Sequence, residues 1–195
     1  APEELIACIG DYDGLAVRSA TKVTPEVLKA ATNLKVVGRA GIGVDNINID
    51  ECSANGVVVM NTPFGNAITT AEHAIAMMFS LARQIPAADQ TTQAGMWEKS
   101  RFMGTELTGK TLGIIGCGNI GSRVAERALG LKMRVVASDP FLTADRAQDL
   151  GVEKVELEEL FQRADVITLH TPLTESTRDV LNKDAFAKMK DGILI

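Results

Sequence analysis

Cysteine and histidine are scarce in this 195-residue sequence, which contains three cysteines and two histidines. Cys8, Cys52 and Cys117 are odd in number and show no C-x-x-C spacing, so they predict neither a disulfide framework nor a zinc site and indicate a reducing, cytoplasmic compartment. His73 and His170 belong to no H-E-x-x-H motif, and the G-x-S-x-G motif of hydrolases is also lacking. Metalloenzyme and hydrolase interpretations therefore lack their residues, and we expect no bound metal.

Positive charge is in deficit, because 20 Lys and Arg face 25 Asp and Glu and leave a formal net charge of −5. An acidic chain repels phosphate backbones and anionic lipid, which disfavours nucleic acid and membrane partners. The apolar stretch at residues 74–82 is far shorter than the about 20 residues that span a bilayer. The 46% hydrophobic content predicts instead a globular protein with one large domain or two small ones.

Strand-like and helix-like segments alternate along the chain, which predicts an α/β fold of two flavodoxin- or Rossmann-like parallel-sheet domains. We expect domains at residues 1–62 and 63–195, with a largely apolar helix at residues 66–86. Apolar residues on nearly all sides predict that this helix packs between domains or subunits, an ordinary core helix being the alternative. Pro63 on one side, and Pro86 with the polar residues 87–95 on the other, flank this helix and indicate a domain junction here. The predicted strands are residues 14–18, 34–38, 56–60, 111–116, 133–138, 152–155, 165–170 and 192–195.

A G-x-G-x-x-G motif follows an apolar strand and precedes a helix-like segment. Gly116 allows the tight turn, Gly118 allows the backbone to approach a diphosphate at the helix N-terminus, and Gly121 allows helix and strand to pack closely. Asp139 ends the next strand 18 residues after Gly121, where a carboxylate binds the adenosine ribose and repels a 2′-phosphate. The motif predicts a domain that binds NAD rather than NADP.

A second glycine pattern, G-x-x-x-x-G-K-T at residues 104–111, matches the phosphate-binding loop of nucleoside triphosphatases. It leads into a strand instead of a helix, so we interpret the match as coincidence.

Three cations lie near predicted strand ends in the first part of the chain. Arg18 and Lys22 follow the first strand, and Arg39 precedes the glycines of A-G-I-G. Arginine binds carboxylates and phosphates through two parallel hydrogen bonds, so these residues indicate a small anionic substrate, solvated surface charges being the alternative.

Several segments together resemble the NAD-dependent D-isomer-specific 2-hydroxyacid dehydrogenases over essentially the whole chain. They are V-V-G-R-A-G-I-G-V-D-N at residues 36–46, N-T-P-F-G-N at 61–66, A-R-Q-I-P at 82–86, the run at 102–121 and H-T-P at 170–172. V-R-S-A-T-K-V-T at residues 17–24 and the run at 97–107 further resemble the branch that acts on 3-phosphoglycerate. That resemblance implies oxidation of 3-phospho-D-glycerate to 3-phosphohydroxypyruvate with hydride transfer to NAD, the first step of L-serine biosynthesis, in a homodimer or homotetramer.

The resemblance also implies which residues form each site. The implied cofactor-binding residues are Ile42, Gly116, Gly118, Asn119, Ile120, Gly121, Asp139, Thr171 and Pro172. The implied substrate-binding residues are Arg18, Ser19, Arg39, Gly41 and Lys99. Ile42 would approach the nicotinamide end, Arg39 and the Gly41 backbone the substrate carboxylate, and Arg18 its phosphate, with Lys99 contributed by a neighbouring subunit.

By the same resemblance, the catalytic Arg, Glu and His would follow residue 195, and the first strand and helix of the substrate domain would precede residue 1. We therefore expect two partial domains and name no catalytic residue. One alternative is an NAD-binding module or a non-catalytic fragment. Another is a glyoxylate or hydroxypyruvate reductase, which needs neither Arg18 nor Lys99 because its substrate has no phosphate.

Overall fold

The computed structural model describes residues 2–195, and these residues divide into two compact units, with the division after Ala67. Within the described residues, no helix combines the length and the apolar character that crossing a membrane requires.

The first unit contains a parallel sheet in the order β1-β2-β3, and the connections between its strands are helical. Val37 of the central strand is fully buried and packs in one cluster with Val27 and Cys52 of the connecting helices. The sequence T-P-E at residues 24–26 predicts a helix start. The structure confirms it, because the Thr24 hydroxyl accepts the N–H of Val27 and Pro25 stands in the first turn. Helix α1 was not predicted. The elements are α1 Pro2–Cys8, β1 Gly14–Val17, α2 Pro25–Ala30, β2 Val36–Arg39, α3 Ile49–Ala54 and β3 Val58–Asn61.

The second unit contains a parallel sheet in the order β6-β5-β4-β7, and Leu194 pairs in parallel with Val166 beyond β7. The chain moves outward from β4 through β5 to β6 and then returns to the other side of β4 as β7. That reversal is the switch point of doubly wound folds, where ligands bind beyond the carboxyl ends of the strands. Its elements are α4 Ala67–Ala82, α5 Ile85–Gln93, β4 Thr111–Ile115, α6 Gly121–Gly130, β5 Arg134–Ser138, α7 Ala144–Leu150, β6 Glu153–Lys154, α8 Leu157–Arg163, β7 Val166–Leu169 and α9 Lys183–Lys188.

Helices cover both faces of this second sheet, and strand β4 is buried along its whole length. Leu112 and Ile114 belong to the cluster that includes residues of α6, whereas Ile115 belongs to the cluster that includes α8. A Cβ at Gly113 would lie 2.7 Å from Leu160 Cδ2, so the glycine allows α8 to approach the strand closely. The predicted α/β class with Rossmann-like parallel sheets is confirmed.

The helix predicted at residues 66–86 is shorter than expected, and most of the polar stretch at residues 87–95 is helical. Helix α4 ends at Ala82, and α5 begins three residues later. Gln84 adopts a left-handed conformation with φ of 53°, and Pro86 occupies the first turn of α5, a position where proline costs no hydrogen bond. Only part of α4 is buried, because Ala71 and Met78 pack on the core whereas Met77 and Leu81 are about half exposed.

Candidate functional site

The glycine motif forms the turn between β4 and α6, and the space around the Cα atom differs among its three glycines. Gly116 has φ of 89°, and a Cβ there would lie 2.7 Å from Thr171 Cγ2 and 2.9 Å from the carbonyl oxygen of His170. A Cβ at Gly121 would collide with the carbonyl oxygen of Gly116. By contrast, a Cβ at Gly118 would meet no atom of the described residues within 4 Å. The turn is therefore closely packed on the protein side and open on the side where a ligand can approach.

The N-terminus of α6 completes this turn. Ile120 is the N-cap residue and provides no side-chain hydrogen bond to the first turn of the helix. Gly118 and Asn119 are exposed beside it. The N–H groups of Ser122 and Arg123 donate to the carbonyls of Gly118 and Ile120. The positive end of the α6 dipole and the open backbone at Gly118 are therefore the features that suit the diphosphate of a dinucleotide.

Asp139 connects the end of β5 to the glycine turn. One carboxylate oxygen accepts the backbone N–H of Cys117 at 2.7 Å, and the other accepts the N–H of Phe141 at 2.7 Å. The carboxylate thus contacts the backbone of the glycine turn directly. Its backbone partners were not predicted, because Cys117 and Phe141 carry no side-chain signal for such bonds.

The end of β7 forms the other side of the switch point. The backbone N–H of His170 donates to the Ile115 carbonyl at 2.8 Å, and the ring Nε2 of His170 lies 3.0 Å from the Thr168 hydroxyl. Burial lowers the pKa of His170, so the ring is neutral at pH 7. Thr171 is half-buried, and the carbonyl of the exposed Pro172 accepts the Thr177 hydroxyl. Thr171 thus lies against the glycine turn, and the His170 side chain has a local structural contact.

Two exposed apolar side chains flank this edge of the sheet and were missed in the sequence. Phe141 is 90% exposed two residues after Asp139, and Leu173 is 69% exposed directly after Pro172. Each of them follows a predicted site residue closely in the sequence, and this proximity could have indicated that they lie at the site.

Arg39 lies at the end of β2 under the glycine turn of the first unit. Its side chain is 10% exposed, and Nη2 lies 3.8 Å from Asp45 Oδ1. A Cβ at Gly43 would lie 3.0 Å from Arg39 Nη1, so the small residues of this turn make room for the guanidinium. Arg39 Nε is buried and has no hydrogen-bond partner among the described residues. A buried cation with an unused donor fits an anionic ligand.

The other predicted residues of the first unit lie at the same edge of its sheet. Ile42 and Gly41 are half-buried in the turn after β2, and their carbonyls accept the Asn61 amide at 2.7 Å and the Thr62 N–H at 3.1 Å, respectively. Arg18 and Ser19 are exposed in the loop after β1. Lys99 belongs to the second unit, where it begins an exposed 3₁₀ turn, Lys99–Phe102.

The structure also shows the surroundings of the second glycine pattern, of the possible metal ligands and of Cys117. The pattern at residues 104–111 leads into β4 rather than into a helix, so its interpretation as coincidence is confirmed. Within residues 2–195 no three His, Cys, Asp or Glu side chains group as they would around a metal ion. Burial and the nearby Asp139 raise the pKa of the Cys117 thiol, which keeps it protonated at pH 7.

The fold and the glycine turn define a dinucleotide-binding protein, and comparison with known proteins identifies its family. The family described as "D-isomer specific 2-hydroxyacid dehydrogenase, NAD binding domain" matches residues 75–195. The chain belongs to the D-isomer specific 2-hydroxyacid dehydrogenases, and the expected family and NAD cofactor are confirmed.

Among curated proteins, D-3-phosphoglycerate dehydrogenase from Archaeoglobus fulgidus is 50% identical over 193 residues, which are 99% of this chain and 37% of that protein. D-3-phosphoglycerate dehydrogenase from Homo sapiens is 48% identical over 99% of this chain and 36% of its own length. The chain thus spans about a third of the length of these relatives.

Among solved structures, D-lactate dehydrogenase from Aquifex aeolicus in complex with NAD and lactic acid aligns with a TM-score of 0.87 and 31% identity, over 99% of this chain and 57% of that one. The apo structure of D-lactate dehydrogenase from Escherichia coli aligns with a TM-score of 0.84 and 33% identity, over all of this chain and 62% of that one.

Proposed function

We propose that this chain is part of an enzyme that oxidises 3-phospho-D-glycerate to 3-phosphohydroxypyruvate with NAD. The observation that carries the proposal is the 50% identity to a D-3-phosphoglycerate dehydrogenase over 99% of the chain. The cationic residues at the sheet edge of the first unit support it, because the substrate carries both a carboxylate and a phosphate.

The second unit binds NAD in this proposal. The backbone at Gly118 and Ile120 binds the diphosphate at the positive end of the α6 dipole, and the Asp139 carboxylate binds the adenosine ribose. Thr171 and Pro172 line the adenosine side, where the apolar side chains of Phe141 and Leu173 provide further surface. When bound, NAD supplies the hydride acceptor.

The first unit binds the anionic substrate. Arg39 is buried with its Nε unused, so a carboxylate that reaches it gains a charge-assisted hydrogen bond in a place of low solvent access. Arg18 is exposed on the neighbouring loop and binds the phosphate, with Ser19 beside it. Lys99, from a second copy of the chain, adds a further positive charge to the phosphate.

The test compares substrates in the full chain by following NADH absorbance. We expect oxidation of 3-phosphoglycerate with a kcat/KM at least about 100-fold above that for glycerate, because phosphate contacts from charged groups are worth about 3 kcal/mol together. Preference for glyoxylate or hydroxypyruvate reduction without selection for the phosphate would favour the reductase alternative. NADH binding without any turnover would favour the binding-module alternative.

One arginine variant and one lysine variant distinguish a direct contact with the phosphate from an effect of the overall electrostatic field of the protein. Arg18→Ala should raise the KM for 3-phosphoglycerate about 10-fold or more, whereas glycerate should be affected little. Lys29→Ala removes the same charge from an exposed position on α2 and serves as the matched control. Equal effects of both variants would contradict direct phosphate binding by Arg18.

We further propose that the enzyme acts as a homodimer or homotetramer in the cytoplasm. Half-exposed Met77 and Leu81 on α4 support subunit contact through this helix, because large apolar side chains gain free energy when they are covered. The cysteines Cys8, Cys52 and Cys117 are free, which supports a reducing compartment.

A further inference from the structure

Asn46 lies in the loop between β2 and α3 and is 8% exposed. Its side-chain Nδ2 donates to the carbonyl oxygen of Arg18 at 2.9 Å and to that of Thr21 at 2.6 Å. Both acceptors belong to the loop after β1, at the carboxyl edge of the same sheet. A single buried amide therefore holds both ends of the segment at residues 18–21.

The chemistry of these contacts requires an amide. The two neighbours are carbonyl oxygens, which only accept hydrogen bonds, so the NH₂ group faces them and each of its two hydrogens is used. Asn46 Oδ1 is buried without a hydrogen-bond partner among the described residues, so the two donated bonds hold the side chain. A carboxylate of the same shape would place negative charge against two carbonyl oxygens.

Backbone hydrogen bonds join the same two loops. The N–H of Val23 donates to the carbonyl of Asn46 at 2.8 Å, and the N–H of Asn48 donates to the carbonyl of Val23 at 3.1 Å. Val23 and Ile47 consequently pair as a short parallel bridge. The loop that contains Arg18 is thus attached to the loop after β2 by a series of adjacent hydrogen bonds. Asn46 contributes both its backbone carbonyl and its side-chain amide to this series.

The loop after β2 is itself held from its other side. The Asn61 amide donates to the Ile42 carbonyl at 2.7 Å, and Thr62 donates its N–H to the Gly41 carbonyl at 3.1 Å. Asn46 therefore ties the exposed segment at residues 18–21 to a loop that is already fixed to β3. Freedom of the Arg18 backbone is removed before any ligand arrives, which lowers the entropy lost on binding.

We propose that Asn46 is a positioning residue for the phosphate end of the substrate site. It does not contact the substrate, and it acts by holding the backbone of Arg18 and Ser19 in the arrangement that binds the anion. The identity of the anion rests on the proposed function. The order that Asn46 imposes on residues 18–21 does not, and it can be measured separately.

The test uses Asn46→Asp in the full chain, because this change keeps the side-chain shape and removes both donors. The KM for 3-phosphoglycerate should rise about 10- to 100-fold, as expected for two lost hydrogen bonds with a repulsive replacement, while kcat at saturation changes less than about two-fold. NADH affinity should be unchanged. Amide hydrogen exchange should become about 10-fold faster or more at Val23 and Asn48, whose N–H groups are hydrogen-bonded between the two loops, and stay the same at residues 116–121.

Asn33→Asp is the matched control. The Asn33 amide donates to the Gly10 carbonyl at 2.8 Å, in the same unit but at the amino ends of the strands. Its loss should leave both the KM and the exchange at Val23 and Asn48 unchanged. An equal rise in KM in this control would overturn the inference, as would unchanged exchange in the Asn46 variant or faster exchange without a rise in KM.

Two further outcomes are decisive. If Asn46→Asp does not fold, Asn46→Ala replaces it, and failure of both to fold while the control folds would assign Asn46 to fold stability and overturn the positioning role. If the unmodified protein does not oxidise 3-phosphoglycerate, the proposed function fails. Loop exchange and the affinity for inorganic phosphate, both compared between the Asn46 and Asn33 variants, then decide the positioning role.

Discussion

The Asp139 carboxylate accepts the backbone N–H of Cys117 at 2.7 Å, so the acidic residue that directly follows β5 also holds the turn of the glycine motif. The second oxygen accepts the Phe141 N–H at 2.7 Å. Asp139 is therefore held in place by the protein itself, and its remaining lone pairs are available to ribose hydroxyls. Orientation before binding reduces the conformational entropy that is lost when the cofactor binds.

Asp139→Ala should weaken NADH binding by about 1.5–3 kcal/mol, because charged hydrogen bonds to the ribose and the hold on the turn are both lost. Fluorescence titration with NADH and NADPH measures the effect. NADPH affinity should fall less, since the variant no longer repels a 2′-phosphate. Asp139→Asn keeps the shape without the charge and should likewise reduce the preference for NADH. Tighter binding of NADPH than NADH by the unmodified protein would contradict this role.

Gly118→Ala and Gly121→Ala form a matched pair of single-methyl additions. A Cβ at residue 118 enters open space, so the free energy of unfolding should change by less than about 1 kcal/mol. NADH affinity should fall about 10-fold or more, because the added methyl group occupies the side of the turn where the ligand binds. A Cβ at residue 121 collides with the Gly116 carbonyl and should destabilise the second unit by about 1–3 kcal/mol or more. Urea unfolding and NADH titration separate the two effects. Equal stability of both variants would show that the turn packs differently.

Asp165 should contribute a pH-dependent part of the stability. Burial raises the pKa of Asp165, but the Thr111 N–H at 2.8 Å and the Lys190 ammonium at 2.9 Å outweigh it and leave the pKa below its ordinary value. The ionised form is therefore favoured in the folded state. This stability is fully present above the unfolded-state pKa of about 4 and is lost as the pH falls through the lower folded-state pKa.

Asp165→Asn should accordingly lower the free energy of unfolding by about 1–2 kcal/mol at pH 7, a range reduced for the partly exposed Lys190. The difference between the two proteins should shrink below about pH 4, as measured by urea unfolding at several pH values. Asp149→Asn, on an exposed position of α7, is a control that should leave the free energy of unfolding nearly unchanged at pH 7. A difference that stays constant down to pH 2 would exclude the ion pair as its source.

Leu81→Glu should dissociate the proposed oligomer. Leu81 is 46% exposed and lies one turn after Met77, which is 50% exposed, and a carboxylate there would have to be buried without a partner on assembly. Sedimentation velocity should show a monomer at concentrations where the unmodified protein is a dimer or tetramer. Thr69→Glu places the same charge on another exposed part of α4 and should leave the oligomer intact. An unchanged sedimentation coefficient in both variants would place the subunit contact elsewhere.

Local signals predicted the elements that depend on neighbouring residues. The apolar run before Gly116 predicted β4, and Thr24 with Pro25 predicted the start of α2, because strand burial and helix capping act over a few residues. The break between α4 and α5 was missed, since A-R-Q-I-P lacks a glycine and the left-handed Gln84 is an uncommon solution. The roles of Asp165 and Asn46 were also missed, because their partners lie 54 and up to 28 residues away in the sequence.

By itself, the sequence determined the α/β class, the family and the NAD-binding turn, because glycine spacing and the acidic residue at the end of the next strand are local requirements of a dinucleotide. The tertiary structure alone decided which groups hold those residues in place. Parallel strands bring their carboxyl ends to one edge of a sheet whatever their separation in the chain, so the contact of Asp139 with Cys117 and of Asn46 with Arg18 exists only after the strands have paired. No local pattern encodes a hydrogen bond from a distant backbone N–H or to a distant carbonyl, and such bonds orient the binding residues of this protein.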